Sequence, residues 1–445
     1  MYKYKFQISD YHAIRNADIA IDGITILTGE NGSGKSTLSK WLYYLVSTTS
    51  NLESFLYPDF YRAIGDILRR IDSVRMDARS HNIDSNEPFI RPRIIVKNDI
   101  DYAEEMVEKA KLYIYQIGSL LKNNFIETKS IGIVRRSLKH ISKESELPEI
   151  TESNVDEVID TVVNVVNESI DGRLALLRKQ LNERKLETFK GIISRRYEDD
   201  DQAPDDMNLY EDGVNIIDYD THTVKNLFGL DRAIYNDTPM SLNSYIFLGN
   251  EIWERFQRDM VVKVGEMPAK GKLLKRLLQN IISGDLKMAE EGRAIDNLYY
   301  IRQQDNLSIP VSKIATGYKT FSYIYQLLVN GYLTDKSLLL IDEPEAHLHP
   351  QWIVKFAEVL VLLNKLLGVK IVIDSHNPDM ISAIKAVSMS NDIADNVHFY
   401  LAEKDKNDPL KFNYRDLGLN IEDIFKVFNI ALERINLYGQ SKGFE

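Results

Sequence analysis

The run Gly29-Glu30-Asn31-Gly32-Ser33-Gly34-Lys35-Ser36-Thr37 follows directly on the strand-like segment Ile24–Thr28 and precedes an apolar helical stretch, Leu38–Leu45. Few sequence features restrict a fold as strongly, because the pattern G-x-x-x-x-G-K-[ST] works only with strand, tight loop and helix in register. Small residues let successive backbone N–H groups curl around two phosphates, and the helix N-terminus favours the same negative charge. Lys35 is placed to reach the β- and γ-phosphates, and the Ser36 hydroxyl to ligate Mg²⁺. A glycine-rich surface turn would not bring all these parts together. The segment implies binding of a nucleoside triphosphate, with ATP and Mg²⁺ as the expected ligands.

A second element lies far along the chain. Leu338-Leu339-Leu340-Ile341 is a fully apolar run ending in Asp342-Glu343, the pattern of a buried parallel strand that delivers acids at its C-terminal edge. Asp342 suits a place in the Mg²⁺ shell. Glu343 suits a base that polarises attacking water, provided it comes within roughly 3 Å of it. The third element, Ile371-Val372-Ile373-Asp374-Ser375-His376, is another apolar strand with a polar end. His376 is expected to donate to the γ-phosphate or to orient the water held by Glu343.

The order of these motifs, with Asp342-Glu343-Pro344-Glu345-Ala346-His347-Leu348-His349-Pro350 and Asp374-Ser375-His376, resembles the ABC-type ATPase heads of chromosome-maintenance and break-repair proteins. It is most similar to the AAA-15/AAA-21 ATPases of the OLD-like and bacterial anti-phage defence groups. The resemblance covers residues 1–46 and about 278–400. It implies an α/β fold, an ABC-type P-loop NTPase head with a mixed sheet, split by a mainly helical insertion. It makes Asp342-Glu343 the Walker B pair, Ala346–Pro350 the approach to the D-loop, and His376 the switch histidine. Ile314-Ala315-Thr316-Gly317-Tyr318-Lys319 then stands where transporter cassettes carry Leu-Ser-Gly-Gly-Gln. Thr316 and Gly317 match its serine and first glycine, and Lys319 replaces its glutamine. In such heads the signature meets nucleotide held by a second copy. A head-to-tail homodimer, or a higher homo-oligomer, is therefore expected, with Lys319 adding charge across the interface. No glutamine between Lys35 and Ile95 fills the loop that should follow the Walker A helix.

The 445 residues allow more than one core. Composition and pattern suggest an N-terminal part of the head at 1–97, a helical lobe at 98–212 and the rest of the head at 213–445. Residues 51–97 read as short helical and loop pieces, and Asp22-Gly23 as the turn of a hairpin feeding the P-loop strand. Tyr11 and His12 have the rings to stack on a base, though core or surface roles suit them equally. Glu198–Asp212, acidic and holding Pro204, reads as a solvated loop.

The chain has no cysteine, so disulfides and thiolate chemistry are excluded. No run approaches 18 apolar residues and the N-terminus lacks a signal core, so no membrane role and a cytoplasmic location are expected. The net charge of −11 disfavours a chain coated in nucleic acid but permits a local basic face. Lys129, Arg135, Arg136, Lys139, Arg195 and Arg196 are the candidates for one. Two uses of an ATP cycle remain open. The resemblance implies control of a separately encoded nuclease or toxin effector in anti-phage defence. The alternative is a DNA repair or chromosome-associated ATPase that binds nucleic acid directly.

Overall fold

A computed structural model describes residues 3–80, 91–128, 130–141, 149–196, 203–237, 251–289, 298–346 and 348–426. The chain divides into two compact units, Met1–Ser50 with Phe189–Glu445, and Asn51–Thr188. The second unit therefore opens at Asn51 and closes at Thr188, where the sequence pattern had suggested 98 and 212.

The first unit begins with β1 (Tyr4–Tyr11), β2 (Ile14–Ala20), β3 (Ile24–Gly29) and α1 (Lys35–Ser50). The inserted unit holds α2 (Leu52–Ser80), α3 (Ile100–Thr128), α4 (Ile131–Ile141) and α5 (Val155–Glu183). Leu52–Ser80 thus forms one long helix in place of short pieces. It contains Pro58 in its second turn, where the missing N–H removes one i→i−4 helical bond. Gly118 of α3 faces Val163 of α5 so closely that a Cβ would sit 2.8 Å from a valine methyl. That contact sets how near the two helices run.

After α6 (Leu186–Arg196) the chain supplies β4 (Asp206–Glu211), β5 (Val214–Asn215), β6 (Ile217–Asp218), β7 (Thr223–Val224) and β8 (Arg232–Asn236). Helices α7 (Glu251–Val261) and α8 (Gly271–Ile282) follow, then β9 (Asp285–Met288), β10 (Leu298–Arg302) and β11 (Leu307–Pro310). The C-terminal part runs α9 (Thr316–Val329), β12 (Ser337–Asp342), α10 (Pro350–Leu367), β13 (Lys370–Asp374), α11 (Pro378–Ser390), β14 (Val397–Lys404) and β15 (Phe412–Asp416).

Among the described residues, ten strands join one mixed sheet in the order β5-β4-β1-β2-β15-β14-β3-β13-β12-β8. Its centre, from β14 to β8, is parallel. Parallel strands are covered on both faces, which explains the unbroken apolar runs of β3, β12 and β13. This is the expected α/β class: a P-loop ATPase head with a mixed sheet, interrupted by a helical insertion.

Two local expectations fail. Strands β2 and β3 do not form a hairpin, because β15 and β14 lie between them. Asp22-Gly23 is instead a crossing point, and a Cβ on Gly23 would overlap the Asn396 carbonyl at 1.9 Å. Part of the acidic segment is strand: Asp206–Glu211 pairs with β1, turning Met207, Leu209 and Glu211 inward. Alternation outweighed charge there, and Glu211 is satisfied by Tyr4 Oη and by the N–H groups of Phe228 and Gly229. Residues 198–202 of that segment lie outside the described residues. Among the described residues, no helix is long and apolar enough to cross a membrane.

Candidate functional site

Parallel strands deliver their C-terminal ends to one edge, and α1 starts there. Gly32 and Gly34 have φ of 78° and 93°, in the region where side chains are strained. A Cβ on Gly34 would also meet Ile14 at 2.8 Å. The loop they shape, with Asn31, Lys35, Ser36, Thr37 and Glu343, lines an open cleft of about 680 Å³. Gly29, Glu30 and Ser33 belong to the same loop, with Ser33 fully buried. Lys35 Nζ donates to the carbonyl oxygens of Gly29 at 3.1 Å and Glu30 at 3.0 Å, so the ammonium rests on its own loop. Burial holds its pKa below the usual lysine value, opposed by Asp374 and Asp342.

Asp342 ends β12 level with Asp374 of β13. Tyr235 Oη donates to the Asp342 Oδ2 at 3.3 Å. Burial raises the Asp342 pKa, and the neighbouring Ser36 hydroxyl works to lower it. Asp374 is 1% exposed and raised much further, chiefly by burial and then by Asp342. Ser39 of α1 donates to Asp374 Oδ1 at 2.8 Å, while Oδ2 has no partner.

Glu343 adopts φ 46°, left-handed backbone that a glutamate takes at a cost, and its N–H donates to the Asp374 carbonyl at 2.9 Å. The turn aims its carboxylate at the cleft, with Oε1 3.2 Å from His376 Nδ1. Glu345 holds that histidine from behind. Buried and raised in pKa by burial, it accepts from Ser375 Oγ at 2.7 Å and from the His376 N–H at 3.3 Å. The expected constellation of Lys35, Ser36, Asp342, Glu343 and His376 is thus assembled within one unit.

The signature segment stands apart from this cleft. Thr316 and Gly317 open α9 and are partly exposed. A Cβ on Gly317 would collide with the Trp352 ring at 2.8 Å, so packing against α10 alone accounts for this glycine. Lys319, expected to reach across an interface, is 4% exposed, and burial lowers its pKa. One turn into α9, its position points the side chain into its own chain. His347 lies outside the described residues.

Several residues here escaped the motif reading. The strand beside β12 is β8, which arrives only after the insertion and brings Asn236 next to Ile341. The glutamine sought before Ile95 has no counterpart there; Asn236 and Asp237 occupy the flank of Asp342 instead, and the Asp237 charge raises the Asp342 pKa. Asn236 is 2% exposed and its Oδ1 lacks a partner. Only a strand pairing could have revealed it.

The donor set suits a Mg²⁺ ion shared with phosphate. Ser36 and Asp342 are direct ligand candidates, and the partnerless oxygens of Asn236 and Asp374 lie on the flanking strand ends. Among the described residues, no group of three or more His, Cys, Asp or Glu could hold an ion unaided. Mg²⁺ at a nucleotide site needs no such cage, since water and phosphate complete its shell.

A P-loop closing onto a Walker B strand in a mixed parallel sheet defines a nucleotide-binding ATPase domain. The chain belongs to the AAA ATPase domain family AAA-15, whose model matches residues 1–381. A comparison with curated proteins finds no match. Among solved structures, the chain is similar to the SMC head domain from Thermotoga maritima, at 10% identity and a TM-score of 0.36, over 94% of this chain and 99% of that one. It is also similar to a Pyrococcus furiosus Smc head bound to the C-terminal domain of ScpA, at 11% identity and a TM-score of 0.35, over 98% and 100%. An ATP-binding cassette of an ABC transporter in its ADP conformation gives 9% identity and a TM-score of 0.33, over 95% and 94%. Scores this low leave the assignment resting on the family match and the site itself.

Proposed function

We propose that the chain hydrolyses ATP with Mg²⁺ and uses the cycle to close two copies head to tail on a partner. The observation that carries hydrolysis is the Glu343–His376 contact at 3.2 Å, held in strained backbone on the cleft wall. In this reading Lys35 leaves the loop carbonyls for the β- and γ-phosphates. Ser36 and Asp342 hold the metal, with Tyr235 fixing the Asp342 carboxylate. Bound Mg²⁺ would neutralise charge growing on the phosphate oxygens. Glu343 takes the proton of the attacking water, and His376, donating from Nδ1, keeps that carboxylate in line. Thr316 and Gly317, away from the cleft of their own chain, are offered to nucleotide on a second copy. Lys319 supports α9 from inside.

The test is a pair of substitutions read by light scattering and phosphate release. Glu343→Gln retains ATP, loses turnover and accumulates as the closed pair; Lys35→Ala binds ATP more weakly and does not close. Identical assembly states under saturating ATP would exclude nucleotide-gated closure.

For the partner, a direct nucleic-acid role takes precedence over control of a nuclease or toxin effector in anti-phage defence, the OLD-like expectation. What supports it is α4, where Arg135, Arg136 and Lys139 are exposed and form no ion pair among the described residues. Three free cations on one helix suit phosphate contacts. Arg195 and Arg196 lie on α6, and Lys129 outside the described residues. Salt-dependent duplex binding that stimulates hydrolysis, lost in the Arg135→Ala/Arg136→Ala double variant, is expected. Stimulation by a co-purifying protein, with no duplex effect, would return the effector reading to first place.

A further inference from the structure

Leu410 is 80% exposed, the most exposed large apolar side chain among the described residues, yet it lines the triphosphate cleft. A lone surface leucine normally needs no explanation. This one sits at the tip of the β14–β15 hairpin, which is tied down at three points. The Phe412 N–H donates to the Ala13 carbonyl at 2.7 Å, Asp408 lies 3.9 Å from Arg15, and Lys404 pairs with Glu30 of the P-loop at 2.8 Å. The turn itself is fixed by Asp405, which accepts from the N–H groups of Asn407 and Asp408 and from Asn413 Nδ2. Next to it, and lining the same cleft, stands the β1–β2 turn, where Tyr11 meets His12 edge to face at 4.2 Å and Trp41 of α1 at 5.7 Å. The cleft therefore has a charged end at the P-loop and an apolar end between two docked hairpins.

We propose that Leu410 is a base-binding residue: its side chain covers one face of the nucleobase while the Tyr11–Trp41 wall bounds the other side. This rests on the triphosphate reading of the cleft and goes beyond it by assigning a contact to the C-terminal hairpin. The carboxylate and amide side chains that line the cleft, Glu343 and Asn31, belong to the phosphate end. Leu410 offers the base only a flat apolar contact, which any purine accepts because every base has a face to stack. It contributes affinity without choosing between adenine and guanine.

Calorimetric titration of the full chain with Mg²⁺ and ATP, GTP or inorganic tripolyphosphate tests this. Leu410→Ser is expected to weaken ATP and GTP alike by about ten-fold, the loss from exposing most of a leucine's contact. Tripolyphosphate, which has no base, binds it as it binds the unaltered chain, and Leu410→Met retains near-normal ATP affinity. Unchanged ATP affinity in Leu410→Ser, a loss confined to one purine, or an equal loss for tripolyphosphate would overturn the proposal. An unaltered chain that binds none of the three would overturn the triphosphate reading as well, and Lys35→Ala separates that failure from a failure at Leu410.

Discussion

In the inserted helical unit the charges stay at the rim: Lys111 pairs with Asp171 at 2.5 Å, Lys122 with Asp160 at 2.6 Å, and Arg178 with Glu104. At the nucleotide edge of the sheet the charges are inside. Asp374 and Glu345 are 1% and 6% exposed, and each has an oxygen without a partner. Among the described residues, the helical unit's buried partnerless groups are neutral, the Asn167 amide and the Tyr61 hydroxyl. Rim pairs of this kind contribute about 0–1 kcal/mol each and can be traded away. A buried carboxylate costs far more, and it persists where a ligand later supplies the missing partner. One region is arranged for its own stability and the other for what it binds.

The sharpest way to break that contrast is at the reacting groups. Glu343→Gln should lower turnover by about 10²–10⁴-fold with little change in ATP affinity, the usual range for losing a positioned base. Lys35→Ala should weaken ATP by roughly 10–100-fold, from lost charge-assisted hydrogen bonds. Equal loss of binding in both, measured by titration, would reduce Glu343 to a structural acid.

A smaller effect tests the stored cost directly. Burial, and then the neighbouring Asp342 carboxylate, lift the Asp374 pKa well above 3.8. A raised carboxylate stabilises the fold at low pH and loses that contribution as pH rises. Asp374→Asn should therefore raise the melting temperature at pH 8, the gain should shrink toward pH 4, and turnover should fall. A destabilised variant at pH 8 would show that Asp374 holds the sheet together.

Gly317→Ala sharpens the comparison from the packing side. Its new Cβ, 2.8 Å from Trp352, should cost about 1–3 kcal/mol in thermal unfolding. Combining it with Trp352→Leu should recover stability. Recovery of hydrolysis as well would mean that the glycine serves packing alone.

The smallest effect lies at the far end of the central strands, where His398 Nε2 is 2.7 Å from Asp22. The pair raises the His398 pKa above 6.5 and lowers that of Asp22 below 3.8. Its contribution is full between the unfolded values, falls as pH rises through the folded His398 pKa, and falls in acid as Asp22 takes up a proton. Asp22→Asn should cost about 0.5–1 kcal/mol at pH 6 and less at pH 9, read from urea midpoints.

The parts of the site that are contiguous in sequence were legible there. The P-loop, Asp342-Glu343 and His376 each end an apolar strand, and the structure brings them together as those endings imply. Strand order was not legible. Nothing between Asp18 and Leu27 signals that two strands from beyond residue 396 enter between β2 and β3. The same blindness hid Asn236, whose value comes from lying beside Ile341, and Leu410, which reads as an ordinary turn residue. The position of Lys319 was misjudged for a related reason. A motif position says which residue aligns with the glutamine, while the helical phase of α9 decides which way it faces.

Strand β3, which feeds the P-loop, is flanked by β14 and β13. It is translated long before the residues that pair with its start, Ile371 and Val397. Meanwhile Asn51–Thr188 emerges as a contiguous helical unit able to fold on its own timetable. Until Ile371 and Val397 arrive, an apolar strand with two open edges waits in the nascent chain, exposed to wrong partners. The phosphate loop takes shape only when β13 and β14 close around β3, so competence to bind nucleotide marks a chain whose synthesis has passed β14.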